Sequence, residues 1–348
     1  MAQYHDNHRT AAELTAEARA AANVAALGYR LGRFLPGVSN FTLNYDFDVN
    51  ALGLTDVAEY RAFDTTPGYG TGQAAGGSRS GKLPPVSRRY RVKEYEQLQL
   101  QIGGDTLIPG QLDSYARKGG VAIAARVALA QAQAIEFDYV RLLENGLDVT
   151  ITYGRNADLF VTAQTVWSDV DADILEELLS WLATYRVLNG ANPGTTLISQ
   201  RILDALSRNK QIIGAAFGKG PQSPELPGRV GYADVLSFLS SWGINNVEVF
   251  DGTIDRKLLL SDHKVFFLPP EGAATEDGGA LGTTEWGITA EAIQPVYSIG
   301  SGEAAGIFAA AFDDNQPQGT DVLSTAVVVP ALRNSNAVMV ASVLPAAA

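Results

Sequence analysis

The chain has 348 residues, 46% of them hydrophobic, a formal net charge of −12 and no cysteine. This length and apolar content can bury one large core or two smaller ones. The acidity disfavours a general nucleic-acid binder, and the missing thiols exclude a disulfide framework, a thiolate metal site and a cysteine nucleophile. No apolar run approaches the ~18–20 residues that span a bilayer, and the first 23 residues lack the apolar centre of a secretory signal.

Residues 10–33 read as a helix, with Thr10 as cap, Glu13 completing a capping box and an alanine-rich body. From Phe34 to Tyr60 the chain looks extended, with Phe41, Leu43, Tyr45 and Phe47 alternating against polar neighbours. Residues 64–93 are rich in Gly, Pro and Ser and carry Arg79, Lys82, Arg88, Arg89, Arg91 and Lys93, with no acid between Asp64 and Glu94. A loop of this length inside a compact domain is either disordered or reaches a partner. The strand-like alternation from Val86 to Ile102 favours a two-stranded arm with a flexible tip.

A long helix is expected over 113–144. Val121, Ala124, Ala128, Ala132, Ile135, Tyr139 and Leu142 form its stripe, Asn145-Gly146 its end, and its length is roughly 45 Å. Two strands follow at Asp148–Tyr153 and Asp158–Thr165, joined by a GRN turn. Asp169 or Asp171 caps a helix reaching about Asn189. The pattern then turns β/α: TTLIS as strand, QRILDALSRNKQII as helix, a Gly/Pro loop, a helix at 231–242, and strands NVEVFDG and HKVFFLPP. Long apolar strands close the chain.

The sharpest catalytic-looking motif is Gly76 to Lys82, which fits GxxxxGK. A phosphate loop needs Ser or Thr after the lysine and a helix beyond it. Here Leu83, Pro84 and Pro85 follow, so the motif reads as a loop tip. Gly300 to Gly306 resembles a dinucleotide fingerprint but opens no helix in a βαβ unit. His5 and His8 lie far in sequence from His263, the only other histidine, and GxSxG and HExxH are absent. No catalytic, cofactor-binding or metal-ligating residue is therefore assigned.

The order of elements resembles the Hong Kong 97-type phage capsid fold, an α+β architecture, and within it the lambda-type major capsid protein E family. The basic tip GGSRSGKLPPVSRR looks like that family's E-loop, the helix at 113–144 its spine helix, TTLISQRILDALSRNK its axial strand and helix, and HKVFFLPPEG with ALGTTEWG its late strand and turn. The resemblance implies an N-terminal arm at 1–40, a peripheral-domain entry strand at 41–63, the E-loop at 64–100, the peripheral (P) domain with its spine helix at 101–191, the axial (A) domain at 192–300 and returning peripheral strands at 301–348. It implies a non-enzymatic shell subunit, assembling as pentamers and hexamers around double-stranded DNA without reading its sequence. The expected setting is the virion, after assembly in the host cytoplasm. Scaffolding, portal and decoration proteins are the expected partners, alongside further copies of the chain, with no cofactor and no membrane.

Arg79, Lys82, Arg88, Arg89 and Arg91 are expected to contact a neighbouring subunit, with Asp169 to Glu177, or Asp313 and Asp314, as acidic partners. An isopeptide crosslink of Lys82 to Asn334 or Asn336 is not expected, because a flexible tip gives no fixed attack geometry. Two other readings stay open: an encapsulin-like compartment shell, and an α/β enzyme built on 192–300.

Overall fold

The computed structural model describes residues 3–5, 8–48, 78–103, 107–224, 226–272, 280–315 and 318–346. Gln3–His5 form β1, and α1 covers Ala11–Tyr29. Thr10 caps α1 as expected: its hydroxyl accepts from Glu13 N (3.3 Å) and its own N–H donates to the Glu13 carboxylate (2.9 Å). The helix ends at Arg30, which is left-handed (φ 62°), and a single 3-10 turn at Leu31–Arg33 takes up the rest of the expected span. β2 is Gly37–Ser39, β3 is Asn44–Asp48, β4 is Ser78–Lys82 and β5 is Pro85–Val92. Tyr45 and Phe47 are buried, whereas Phe41 and Leu43, expected on the same face, are exposed.

Three expectations fail at this point for one reason, that short apolar runs do not fix their own period. Residues 94–102, read as strand, form α2 (Glu94–Gly103), in which the Glu96 carboxylate accepts from Lys93 N at the helix start (3.3 Å). The long helix, α3, runs from Leu107 to Phe137 rather than over 113–144. Asn145-Gly146 does not end it. With φ of 47° and 84° this pair turns the hairpin between β6 (Tyr139–Glu144) and β7 (Leu147–Thr152), the geometry Asn-Gly favours most. Tyr139 and Leu142 therefore belong to a strand, while Ala124, Ala128, Ala132 and Ile135 are buried on α3 as expected.

β8 is Phe160–Thr162, and it does not pair with β7. α4 is Ile174–Asn189, capped by Asp173 and not by Asp169 or Asp171. β9 is Thr195–Ile198. The single helix expected next is two, α5 (Gln200–Leu206) and α6 (Lys210–Phe217), because the Asn209 carboxamide accepts from Gln211 N (3.0 Å) and Ile212 N (3.2 Å) and restarts the helix. α7 is Tyr232–Ser241, β10 is Val247–Val249, and β11 (Thr253–Ile254) pairs with β12 (Lys257–Leu258). β13 (Lys264–Leu268), β14 (Gly282–Gly287), β15 (Phe308–Asn315), β16 (Gln318–Leu332) and β17 (Met339–Ser342) complete the chain.

These elements form two compact units, each drawn from three stretches of chain. Unit 1 comprises Met1–Tyr45, Ser80–Ala132 and Thr283–Ala331. Its sheet runs β1-β15-β16-β14-β2, and β5 pairs with β16. α1 and the first part of α3 pack on this sheet through small residues. Gly120 lets α3 meet the Ala18 backbone of α1, and the adjacent Gly119 receives the Ser324 side chain of β16. The Thr15 hydroxyl donates to Ala309 O (3.1 Å) and accepts from Ala309 N (3.0 Å), joining α1 to β15. Arg9 grips Asp113 with two bonds of 2.9 Å, a fork that raises the arginine pKa further above its ordinary value.

Unit 2 comprises Asp46–Arg79, Gln133–Gly282 and Leu332–Ala348. Its sheet runs β10-β9-β13-β17-β8, with β10/β9 and β17/β8 parallel and the two central pairs antiparallel. α4 to α7 share one apolar core with it, including Trp167, Trp181, Ile202, Phe238 and Phe267. The structure thus divides the chain differently from the expected boundaries. Residues 332–348 join unit 2, because β17 is an internal strand of its sheet, and 283–300 join unit 1 through β14.

Two buried charged side chains in unit 2 are hydrogen-bonded to their surroundings. Glu136 accepts from Lys264 Nζ (2.7 Å) and from Ser261 N (3.2 Å) and Oγ (2.5 Å). The Arg155 guanidinium donates to Ser335 O (3.1 Å) and Ala134 O (3.2 Å), and burial pulls its pKa down to about 10 despite the nearby Asp138.

Candidate assembly surfaces

The five basic residues fall on two strands. Arg79, on β4, donates through Nε to Thr152 O (3.1 Å). Lys82 is exposed and closes β4; it does not sit in a loop tip, and Leu83-Pro84 lead straight into strand β5. β4 packs closely because Gly81 leaves room for the Tyr45 ring where a Cβ would lie. Lys82 has no helix beyond it, so the phosphate-loop geometry is not formed. Residues 64–77 of the expected loop lie outside the described residues.

Arg88, Arg89 and Arg91 lie on β5, opposite Ser324, Leu323 and Asp321 of β16. Arg89 reaches Asp321 at 3.5 Å, and Arg91 reaches Asp314 at 3.5 Å and Asp321 at 3.9 Å. Arg88 lies over the Tyr90 ring at 5.9 Å. Asp314 was expected to serve a neighbouring subunit; here it meets an arginine of its own chain. The Asp169 to Glu177 cluster is likewise occupied. Lys210 holds Asp171 at 2.8 Å, which lowers the carboxyl pKa, Asp173 caps α4, and Glu177 accepts from Gln164 N (2.7 Å) and Trp167 Nε1 (3.0 Å). Arg89 nevertheless keeps 63% of its side chain exposed, and Lys82 and Arg88 are exposed.

The sequence reading missed the apolar surface. On α2, Tyr95, Leu98 and Ile102 are 71%, 52% and 86% exposed, and their spacing of three and four residues places them on one helix face. On α1, Val24 and Leu27 are exposed to a similar degree. The signal was present in EYEQLQLQI, whose i, i+3, i+7 pattern is helical, but it was hidden by the strand alternation running into it.

Unit 1 also holds a groove of about 620 Å³. Its walls include Ala26 and Leu27 of α1, Val127 and Ala128 of α3, and Trp286 of β14, and Arg19, Arg30 and Arg33 line it as well. Its floor is polar but satisfied: Gln131 donates to the Thr284 hydroxyl (2.8 Å), which donates to Leu35 O (2.9 Å). Arg19 donates to the carbonyls of Glu303 (2.6 Å), Ala305 (3.3 Å) and Ile307 (2.8 Å), and burial lowers its pKa. Among the described residues no helix is long and apolar enough to cross a membrane.

No protein-family model matches the chain, and no curated protein matches it. Solved structures do. A phage-related protein from Bordetella bronchiseptica RB50 shares 13% identity and a TM-score of 0.57, covering 100% of both chains. A prophage protein of E. coli CFT073, assigned as a capsid protein, shares 12% identity and a TM-score of 0.59, covering 99% of both chains. The chain therefore has the phage capsid fold, as the order of its elements implied.

Proposed function

We propose that the chain is a major capsid protein, whose copies assemble as pentamers and hexamers into an icosahedral shell around phage double-stranded DNA. The observation that carries this reading is a fold shared end to end with a prophage protein assigned as a capsid protein. Exposed apolar residues on α1 and α2 support it, since contiguous exposed apolar surface marks interaction sites. Lys82, Arg88 and Arg89 extend the contact to a neighbouring subunit, with Arg79 and Arg91 holding β4 and β5 in place. Scaffolding, portal and decoration proteins complete the particle, and the acidic chain encloses DNA without gripping its phosphates.

Electron microscopy and sedimentation of the purified chain test this directly. Capsomers or closed shells are expected; a monomer at every concentration refutes the reading. Particles recovered from lysed host cells are expected to protect DNA from nuclease, and a protein cargo in its place would make the shell an encapsulin-like compartment. Reversing Lys82 and Arg88 together to glutamate is expected to abolish assembly while leaving the far-ultraviolet circular dichroism unchanged. Normal particles from that variant would remove these residues from the interface.

A further inference from the structure

β6 and β7 stand apart from both larger sheets: among the described residues each pairs only with the other. Their ladder is fixed at both ends. The Asn145-Gly146 turn closes on the Glu144–Leu147 pair, and at the far end Tyr153 N donates to Asp138 O (3.1 Å). Hydrogen-bonded and open pairs alternate in an antiparallel ladder. Val140–Ile151 and Leu142–Val149 are therefore bonded pairs, and Asp148, Thr150 and Thr152 of β7 turn their N–H and C=O outward. Thr152 O already accepts from Arg79 Nε. Asp148 and Thr150 are exposed, and their outward main-chain groups have no partner among the described residues.

An open edge normally carries a guard, such as a proline, a bulge or a charge. The outer edge of β6 has one at its centre, where Arg141 lies between Tyr139 and Leu143. The outer edge of β7 has none at its centre, where Thr150 lies between the β-branched Val149 and Ile151. We propose that β7 pairs antiparallel with β7 of a second copy, about a two-fold axis at Val149. An axis at Asp148 would set like charges opposite each other, and an axis at Thr150 would call on Thr152 O a second time. With the axis at Val149, Asp148 of each copy exchanges hydrogen bonds with Thr150 of the other. Val149 meets its own counterpart, and Leu147 lies opposite Ile151. On the other face one row reads Arg141, Thr150 and then Asp148 of the second copy. Strand geometry sets these two charges about 10 Å apart at Cα, a span their side chains bridge. Neither Arg141 nor Asp148 makes an ion pair within its own chain among the described residues. The proposal rests on the shell reading and adds to it an isologous contact between copies.

The chain has no native cysteine, so a disulfide reports the contact directly. Copies carrying Val149→Cys are assembled and oxidised. Open antiparallel pairs hold their Cα atoms about 4.5 Å apart, within disulfide range, and a band at twice the 36.9 kDa chain mass is expected. Arg141→Cys alone, on the far edge of the same hairpin, is expected to give none. Adding Thr150→Pro to Val149→Cys removes an outward N–H and leaves the hairpin's own bonds in place; it is expected to abolish the band. Asp148→Arg is expected to lower the yield several-fold, and Arg141→Asp in the same chain to restore it. A mixed dimer of differently tagged Arg141→Cys and Thr150→Cys chains would place β7 against β6 of the next copy and overturn the two-fold contact. Oligomers that form normally, yet give no more Val149→Cys dimer than the Arg141→Cys control, overturn the contact and leave the shell reading standing. A native chain that stays monomeric at every concentration overturns both.

Discussion

In unit 2 the core is filled by large side chains. Trp167 stacks on Trp181 with ring centres 5.9 Å apart, and Phe267 is 1% exposed in the middle of its sheet. In unit 1, beside large side chains such as Leu14, Leu112, Ile123 and Phe308, the place where α1 meets α3 is filled by backbone brought close. Ala11, Ala18, Ala22, Ala116 and Ala309 are buried there, and glycines 119 and 120 take the place of side chains on α3. These two packing sites accordingly have opposite weaknesses. A core of large groups suffers when atoms are removed, because the cavity only partly collapses. A core of small groups suffers when atoms are added, because its neighbours are main chain and cannot yield.

The largest effect is expected from Phe267→Ala, about 3–5 kcal/mol lost in chemical denaturation. A loss near zero would mean that unit 2 is not the tightly filled core described. Next comes Lys264→Met, which leaves Glu136 buried and unpaired. Breaking a buried pair costs about 3–5 kcal/mol, and the residual exposure of Lys264 puts this case near the lower end. Third is Gly120→Ala. Helix propensity alone predicts a gain of about 1 kcal/mol. The added Cβ meets the Ala18 carbonyl, so a net loss of about 1–3 kcal/mol is expected instead. A more stable variant would show that α1 and α3 do not approach as closely as described. The smallest effect on stability is expected from Leu27→Ser, within about 0.5 kcal/mol for the unassembled subunit. Its assembly, followed by light scattering, is expected to weaken markedly, which separates surface used for folding from surface used for association.

Features that depend on a few adjacent residues were legible in the sequence. The Thr10–Glu13 capping box, the Thr195–Ile198 strand and the closing apolar strands all stand where local chemistry put them. Asn145-Gly146 was recognised as a stop but assigned to the wrong element, because the pair serves a helix end or a hairpin equally well until its partner strand is known. The grouping of segments into units was not legible. β8 pairs in parallel with β17 across a separation of about 180 residues, and no local pattern encodes such a partner. The clustering of the basic residues was legible and Asp314 was named as a partner, though on a neighbouring subunit; the pairing with Asp314 and Asp321 within the chain was not, because the β5–β16 register decides it. The groove was invisible for the same reason, since its walls come from residues 19–37, 124–131 and 284–307.

β17 lies between β13 and β8, and β16 occupies the interior of the other sheet. The unit 1 sheet therefore cannot close until the ribosome has delivered the chain through Leu332, nor the unit 2 sheet before Ser342. At roughly 5–20 residues per second that takes roughly 20–70 s. Throughout this interval the nascent polypeptide has no finished surface to offer. Strand order therefore makes closing of both sheets a late event in synthesis, following translation of Leu332 for one and of Ser342 for the other.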